Sequence, residues 1–157
     1  LLDAGRITRR EANERMLQRA RAVGRGFEVE GVLDDWMSML HPRRRMQTLV
    51  AQLKQRGYCV YYLSNIPEDV LDLLMHRDFE GLFDGGVASC EVKINKPDPR
   101  IYQALLDKYH LRADECIFID DRADNLVAAS ALGFGTYEMH GVGTLLRSLP
   151  TFGVSLH

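Results

Sequence analysis

The 157-residue sequence lacks the features that mark several specialised classes of protein. No apolar stretch approaches the roughly 20 residues that a membrane-spanning helix needs, and no signal peptide is visible. The three cysteines, Cys59, Cys90 and Cys116, are odd in number and lack the spacing of a metal site. These absences favour a cytoplasmic protein with buried, reduced thiols, and they argue against a disulfide framework and a membrane partner.

A large net charge is also absent, since 20 Lys and Arg residues face 22 Asp and Glu residues. The charge is unevenly spread, with 12 basic and 7 acidic side chains in residues 1–58 but 8 and 15 in residues 59–157. A basic front half is compatible with a phosphate-facing or nucleic-acid-facing surface, although a solvated helix face is the commoner meaning of such a pattern. We therefore expect no nucleic-acid partner.

The sequence changes its hydrophobic pattern partway along the chain. Residues 1–57 have helical periodicity, which begins at a capping box, Thr8-Arg-Arg-Glu11, and includes a predicted helix at 28–40. From residue 58 on, apolar runs typical of strands alternate with helical segments, and the predicted strands are 58–63, 87–89, 116–119 and 135–139. This alternation predicts an α/β fold with a Rossmann-like parallel sheet. We expect a helical front at residues 1–41 and an α/β core at residues 42–157.

A pair of acids, Asp120 and Asp121, directly follows the apolar strand 116–119. Ligands in parallel sheets lie beyond the carboxyl ends of the strands, so the pair stands where a site is expected. Adjacent carboxylates repel each other unless a cation or a proton lies between them, and a helix N-cap explains only one of the two. Mg²⁺, a hard cation that prefers carboxylate oxygens, is the cation expected between them. Asp124 and Asn125, one turn on, are candidates for a supporting role behind the metal ligands.

Two other strand ends carry polar residues. Ser64 and Asn65 follow the strand 58–63, where a hydroxyl and backbone N–H groups can bind a phosphate, although a helix cap before Pro67 is the alternative. Lys96 precedes a Pro-fixed turn and the start of a helix, so its ammonium group can be directed towards an anionic substrate and a carboxylate. Lys93 is a competing candidate for the same task.

A serine at one strand end, a Lys-Pro before a helix and an acid pair after an apolar strand, in this order, resemble the second, third and fourth motifs of the haloacid dehalogenase-like (HAD) hydrolase superfamily. The run Gly5-Arg6-Ile7-Thr8 and the helices after it resemble the small helical cap of its sugar-phosphate phosphatases, including the glucose-1-phosphatase type. The resemblance implies a HAD-like core with a helical cap and a Mg²⁺-dependent phosphatase acting on a small phosphorylated metabolite such as a sugar phosphate.

The resemblance also implies a role for each candidate residue. Ser64, with the backbone of Asn65, would bind the transferring phosphoryl group, and Lys96 would stabilise its charge. Asp121, assisted by Asp120, would hold Mg²⁺. The acid pair favours the phosphatase branch over the dehalogenase branch, which does not need the metal. A monomer or a homodimer is expected.

The family's first motif, Asp-x-Asp-x-Thr/Val on a leading strand, is missing from this sequence. Asp34-Asp35 lies in a helical stretch and is a poor substitute. Because that motif supplies the nucleophile, the general acid and the central strand, we expect these to lie upstream of Leu1 and a gap to separate the strands that end at Leu63 and Ile119. The alternative is a non-catalytic binding or regulatory protein that lost the motif, and a 2-haloacid dehalogenase is disfavoured.

Overall fold

The structure, a computed structural model, describes residues 1–25, 44–77 and 80–156. The predicted helix at 28–40, the acids Asp34-Asp35 and the end of the expected front domain lie outside the described residues. The division of the chain into residues 1–41 and 42–157 therefore stays a prediction.

Helices and strands alternate along the described chain from residue 44 onwards. The helices are α1 (Arg9–Ala22), α2 (Arg44–Gln55), α3 (Glu68–Arg77), α4 (Ser89–Val92), α5 (Pro99–Tyr109), α6 (Ala123–Ala131) and α7 (Val142–Ser148), with 3₁₀ turns at Ala113–Glu115 and Leu149–Phe152. The strands are β1 (Tyr61–Ser64), β2 (Gly85–Ala88), β3 (Ile117–Asp120) and β4 (Gly135–Glu138). No described helix is long and apolar enough to cross a membrane.

The helix ends follow from local sequence. Thr8 caps α1 through the predicted capping box, because its side chain accepts a hydrogen bond from the Glu11 N–H while the Glu11 carboxylate accepts one from the Thr8 N–H at 2.7 Å. Asp98 caps α5 by accepting from the Arg100 N–H at 3.0 Å, with Pro99 as the first helical residue. Gly133 follows the end of α6 with a φ of 95°, a backbone conformation that favours glycine.

The strands form two separate parallel pairs among the described residues. In one pair Leu63 of β1 lies opposite Val87 of β2, and in the other Ile119 of β3 lies opposite Tyr137 of β4. The parallel α/β arrangement is therefore confirmed. The start of β4 at Gly135 was predicted correctly, and the other predicted strand ends were wrong by one to three residues. Pairing begins later than predicted in β1, earlier in β2, and continues through Ser64 and Asp120.

Helix α5 joins the two sheets through the main hydrophobic core. Its side chains Ile101 and Tyr102 are fully buried and belong to one cluster with Val87 of β2 and Phe118 of β3. The Tyr102 ring packs edge-on against Phe118, with 5.3 Å between the centroids. Because a single core spans both pairs of strands, the two sheets are held together without direct pairing.

A gap separates β1 from β3, as expected from the sequence. The gap is a cavity of about 640 Å³, and its walls include Tyr61 and Leu63 of β1 and Ile117 and Ile119 of β3. No described strand pairs with β1 on the side away from β2 or with β3 on the side away from β4. We call this cavity the inter-sheet slot.

The cysteines are only partly buried, against expectation. All three are free; Cys90 is buried and Cys116 half-buried, but Cys59 is exposed. Cys59 precedes the first paired residue of β1, so no neighbouring strand covers it. The expectation of buried thiols was therefore wrong for this residue.

Candidate active site

Lys96 lies where the carboxyl ends of β1 and β3 meet. Its ammonium group donates to Asp120 Oδ2 at 2.7 Å and to the Leu63 carbonyl at 2.8 Å, and it lies 5.3 Å from the centroid of the Phe118 ring. The side chains of Lys96 and Asp120 are only 10% and 7% exposed. An ammonium group has three N–H donors, so one remains for a ligand. The structure thus distinguishes the two candidate lysines, because the Lys93 ammonium instead donates to the Gly5 carbonyl at 3.2 Å.

Asp120 is held by donors on both of its carboxylate oxygens. Oδ1 accepts from the Arg122 N–H and from the Asn125 side chain, each at 2.9 Å, while Oδ2 accepts from Lys96. Burial by itself raises the pKa of Asp120, but the hydrogen bonds from Lys96, Asn125 and the Arg122 N–H outweigh it and hold the pKa below its usual range. Asp120 is therefore an ionised carboxylate at neutral pH.

Asn65 ties the loop after β1 to the loop that carries Lys96. Its amide donates to the Lys96 carbonyl at 2.9 Å, and its Oδ1 accepts from the Lys96 N–H at 2.7 Å. The alternative in which Asn65 caps the next helix is therefore not observed. No described residue is hydrogen-bonded to the hydroxyl of Ser64, the last residue of β1, so this group is available to a ligand.

The other two candidate acids, Asp121 and Asp124, lie at the protein surface. Asp121 is exposed, and no described residue forms a hydrogen bond or ion pair with it. Asp124 is also exposed and forms only a 3.8 Å ion pair with Arg122, so the structure does not bring it into the cluster around Lys96. Its supporting role behind a metal stays a prediction.

The donor set for Mg²⁺ is partial in the described chain. Within residues 1–25, 44–77 and 80–156, no three His, Cys, Asp or Glu side chains converge to hold a metal ion. Mg²⁺ in enzymes is often bound by one or two carboxylates, with waters and substrate phosphate completing its shell. Asp121 fits this pattern as a free carboxylate. Asp120 fits less well as a direct ligand, because both of its oxygens already accept hydrogen bonds.

Asn125 and Tyr102 form a buried chain of hydrogen bonds behind Asp120. Asn125 is 3% exposed, and the backbone carbonyl of Asn125 accepts from the Tyr102 hydroxyl at 2.9 Å. Burial, with a smaller effect of the charge on Asp120, raises the pKa of Tyr102 to about 12, so its hydroxyl stays protonated and can donate. Sequence reasoning missed Tyr102 as a site residue. The available signal was a phenol on the apolar face of α5, since a buried hydroxyl needs a partner.

The fold and this charged cluster define an α/β protein with a buried ion pair at the carboxyl ends of its strands. The chain matches the haloacid dehalogenase-like hydrolase family over residues 4–133. Sesquiterpene phosphatase astK of Aspergillus oryzae is 36% identical over 109 residues, which cover 69% of this chain and 56% of the phosphatase. (S)-2-haloacid dehalogenase 4A of Burkholderia cepacia is 32% identical over 93 residues, which cover 59% of this chain and 40% of the dehalogenase.

A solved structure agrees with the sequence matches. A HAD family enzyme from Bacteroides thetaiotaomicron, solved as an aspartate-to-alanine variant with magnesium and inorganic phosphate, has a TM-score of 0.70 at 27% identity. The comparison covers 93% of this chain and 78% of that enzyme.

The protein therefore belongs to the haloacid dehalogenase-like hydrolase family, and the resemblance seen in the sequence is confirmed at this level. The chain spans little more than half the length of the phosphatase and less than half that of the dehalogenase. The glucose-1-phosphatase subgroup stays a prediction.

Proposed function

We propose that the protein is a Mg²⁺-dependent phosphatase that hydrolyses the phosphate ester of a small metabolite such as a sugar phosphate. The observation that carries the proposal is the position of Lys96, whose ammonium group joins the end of β1 to Asp120 with one donor to spare. A buried cation at the ends of parallel strands is suited to an anionic group. The similarity to a phosphatase and to an enzyme solved with magnesium and phosphate supports a phosphate rather than another anion.

Each candidate residue has a defined task in this proposal. The Ser64 hydroxyl and the Asn65 backbone bind the phosphoryl oxygens, and the free N–H of Lys96 stabilises the negative charge that the transition state carries. Asp120 keeps the ammonium group of Lys96 in place through their 2.7 Å hydrogen bond. Asp121 would hold Mg²⁺, which when bound supplies additional positive charge against the phosphoryl oxygens. Asn125 fixes the orientation of Asp120 through its 2.9 Å hydrogen bond.

In this proposal the nucleophile belongs to a further strand that occupies the inter-sheet slot. The slot exposes the unpaired edges of β1 and β3. Most of its walls are apolar, although His110, Arg112, Asp114 and Glu115 also line it, and this suits one further buried strand. A carboxylate at the carboxyl end of such a strand would lie beside Lys96. This carboxylate would attack phosphorus, the ester oxygen would leave with a proton from a general acid, and water would then cleave the aspartyl-phosphate. As expected from the sequence, we assign the strand to residues upstream of Leu1.

The described start of the proposed cap contacts the core just after the loop Ser64–Asn65. In the described part, Arg9 of α1 forms a 2.9 Å ion pair with Asp69 of α3. A cleft of about 360 Å³ lies between residues at the start of α1, including Thr8 and Glu11, and residues around the start of α3, including Pro67 and Glu68. The organic part of a substrate held at Ser64 would face such a cleft, and its shape would then decide which metabolite is accepted.

The test is phosphate release by the full-length protein from a generic phosphomonoester such as p-nitrophenyl phosphate, with and without Mg²⁺. We expect turnover that depends on Mg²⁺ and is lost in Asp121→Asn. Removing residues behind metal ligands costs about 10- to 100-fold, so removing a ligand should cost about 100-fold or more. Asp107→Asn is the matched control, because Asp107 is an exposed acid that accepts a hydrogen bond from Gln103 on α5.

Three outcomes would contradict parts of the proposal. Mg²⁺ stimulation that survives in Asp121→Asn would refute the metal assignment. Binding of inorganic phosphate without turnover would favour the binding protein. Release of halide from 2-haloacids without phosphatase activity would favour the dehalogenase, which the 32% identity to the Burkholderia enzyme makes a necessary comparison.

A further inference from the structure

Ser89, the first residue of α4, is a fully buried hydroxyl outside the cluster around Lys96. Its Oγ accepts a hydrogen bond from the Ile66 N–H at 2.9 Å and donates one to the Asp3 carbonyl. A hydroxyl can do both at once because it has one proton and two lone pairs. One side chain therefore links two segments that are far apart in sequence, the loop after β1 and the start of the chain.

The start of the chain is docked on α4 by further contacts. Ala4 is 5% exposed, the Gly5 carbonyl accepts from the Lys93 ammonium at 3.2 Å, and the Arg6 side chain donates to the Lys93 carbonyl at 3.4 Å. A side chain at Gly5, whose φ is 57°, would also approach the Cys90 carbonyl to 3.0 Å. The backbone of residues 3–6, which we call the docking segment, therefore lies against α4 and Lys93, and α1 begins three residues later, at Arg9.

The other partner of Ser89 belongs to the loop that we assign to phosphate. Ile66 comes directly after Ser64 and Asn65, and its N–H is occupied by Ser89. This N–H is therefore not a donor to substrate. Instead, the bond fixes the orientation of the Asn65–Ile66 peptide, and with it the direction in which the chain leaves Asn65.

We propose that Ser89 is a positioning residue that couples the docking of residues 3–6, and of α1 after them, to the conformation of the loop Ser64–Ile66. That this loop binds phosphate rests on the proposed function. The coupling is a property of the hydroxyl, because its donor and acceptor bonds share one oxygen atom. Coupling between two sites is reciprocal, so phosphate on the loop should stabilise the docking segment, and loosening the segment should weaken phosphate binding.

The experiment is amide hydrogen exchange of the full-length protein, with and without saturating inorganic phosphate and Mg²⁺. In the parent protein, phosphate should slow exchange at Ile66 and also at Gly5 and Arg6, whose amides are hydrogen-bonded within the docking turn. In Ser89→Ala, phosphate should bind about tenfold more weakly, and at saturation it should slow exchange at Ile66 but no longer at Gly5 and Arg6. Ser148→Ala, which removes a half-buried hydroxyl from α7, should behave like the parent.

A second variant keeps the test decisive if Ser89→Ala does not fold. Arg9→Ala removes the 2.9 Å ion pair with Asp69, which fastens α1 without touching the loop. It should accelerate exchange at Ile66 and lower phosphate affinity. If Ser89→Ala does fold, the change at Ile66 should vanish in the variant that carries both substitutions. Unaltered exchange at Ile66 in Arg9→Ala overturns the coupling. Absence of phosphate binding in the parent protein would refute the proposed ligand, and the exchange of Ile66 in Arg9→Ala would still decide the coupling.

Discussion

Replacement of Lys96 by methionine should destabilise the protein strongly, because it leaves a buried carboxylate without its cation. The Asp120 side chain is 7% exposed, and its Oδ2 accepts from Lys96 at 2.7 Å. Removing one partner of a buried ion pair costs about 3–5 kcal/mol. Methionine keeps most of the apolar stem that packs near Phe118, so the loss is mainly electrostatic.

The structure places the expected loss at the lower end of that range. Asp120 Oδ1 keeps two donors, the Arg122 N–H and the Asn125 amide, each at 2.9 Å, and these still stabilise the charge. The Leu63 carbonyl loses its 2.8 Å bond to the lysine, which adds about 1 kcal/mol. We therefore expect a loss of about 3–4 kcal/mol at pH 7, a large part of the roughly 5–15 kcal/mol that stabilises a typical domain.

The loss should depend on pH with a defined sign. In the parent protein the pKa of Asp120 lies below its usual range, so the carboxylate adds stability that is present at neutral pH and disappears as the pH falls through the lowered pKa. Without Lys96, burial dominates and the pKa of Asp120 should rise above the ordinary value of about 3.9. Protonation then relieves the buried charge, so the difference between variant and parent should shrink as the pH falls from 7 towards about 4.

Urea unfolding followed by circular dichroism at several pH values measures this difference. Lys93→Met is the matched control, because Lys93 is exposed and donates only to the Gly5 carbonyl at 3.2 Å, and it should cost less than about 1 kcal/mol. Combining Lys96→Met with Asp120→Asn should recover most of the loss. Equal losses in the two lysine variants, or a difference that does not shrink on acidification, would refute the reasoning.

Two further predictions concern parts of the fold that position the site. Gly85→Ala should lower the free energy of unfolding by about 2–4 kcal/mol, because the new Cβ would collide with the Tyr109 ring and because φ of Gly85 is 150°. Gly135→Ala is the control: its new Cβ would meet only ordinary contacts, so the loss should be smaller. Similar unfolding midpoints for the two variants would contradict this. Asp98→Ala should lower the thermal unfolding midpoint at pH 7, because it removes the cap of α5. Since the pKa of Asp98 is lowered to about 2, the difference in midpoint between parent and variant should shrink as the pH drops from about 4 towards 2. A difference that stays constant over this range would count against the cap.

Local features of the fold could be predicted from the sequence, because they depend on residues close together in the chain. The capping box of Thr8 and Glu11 and the Asp98 cap of α5 involve partners two or three residues apart. The parallel α/β pattern follows from apolar runs that alternate with helical segments. The ordered motifs also identified Lys96 and Asp120 as candidates for one site, and the structure brings them to 2.7 Å.

Other connections that shape the site could not be predicted, because they join residues that are distant in sequence and that no recognised motif links. The bonds between Asn65 and Lys96 span 31 residues, and those of Ser89 reach Ile66 at 23 and Asp3 at 86. Such partners depend on how the helices pack on the sheets, which hydrophobic periodicity leaves open. For the same reason the sequence could not show that both oxygens of Asp120, which is expected to assist Asp121 in holding Mg²⁺, accept hydrogen bonds from internal donors.

A further strand can join the sheet of β1 and β2 only along the edge of β1 that faces the slot. The backbone of Gly86 in β2 is occupied by α5: the Tyr109 hydroxyl accepts from the Gly86 N–H at 2.8 Å and lies 3.0 Å from its carbonyl, which also accepts from Lys108 at 3.0 Å. Side chains that occupy an edge in this way prevent further pairing there. A strand that joins this sheet must therefore pair with β1, inside the slot, where the carboxyl end of a parallel strand would lie beside Lys96. Helix α5 thus has two roles. It blocks the outer edge of β2, and its Tyr102 hydroxyl holds Asn125, which in turn holds the Asp120 carboxylate that the added strand would meet.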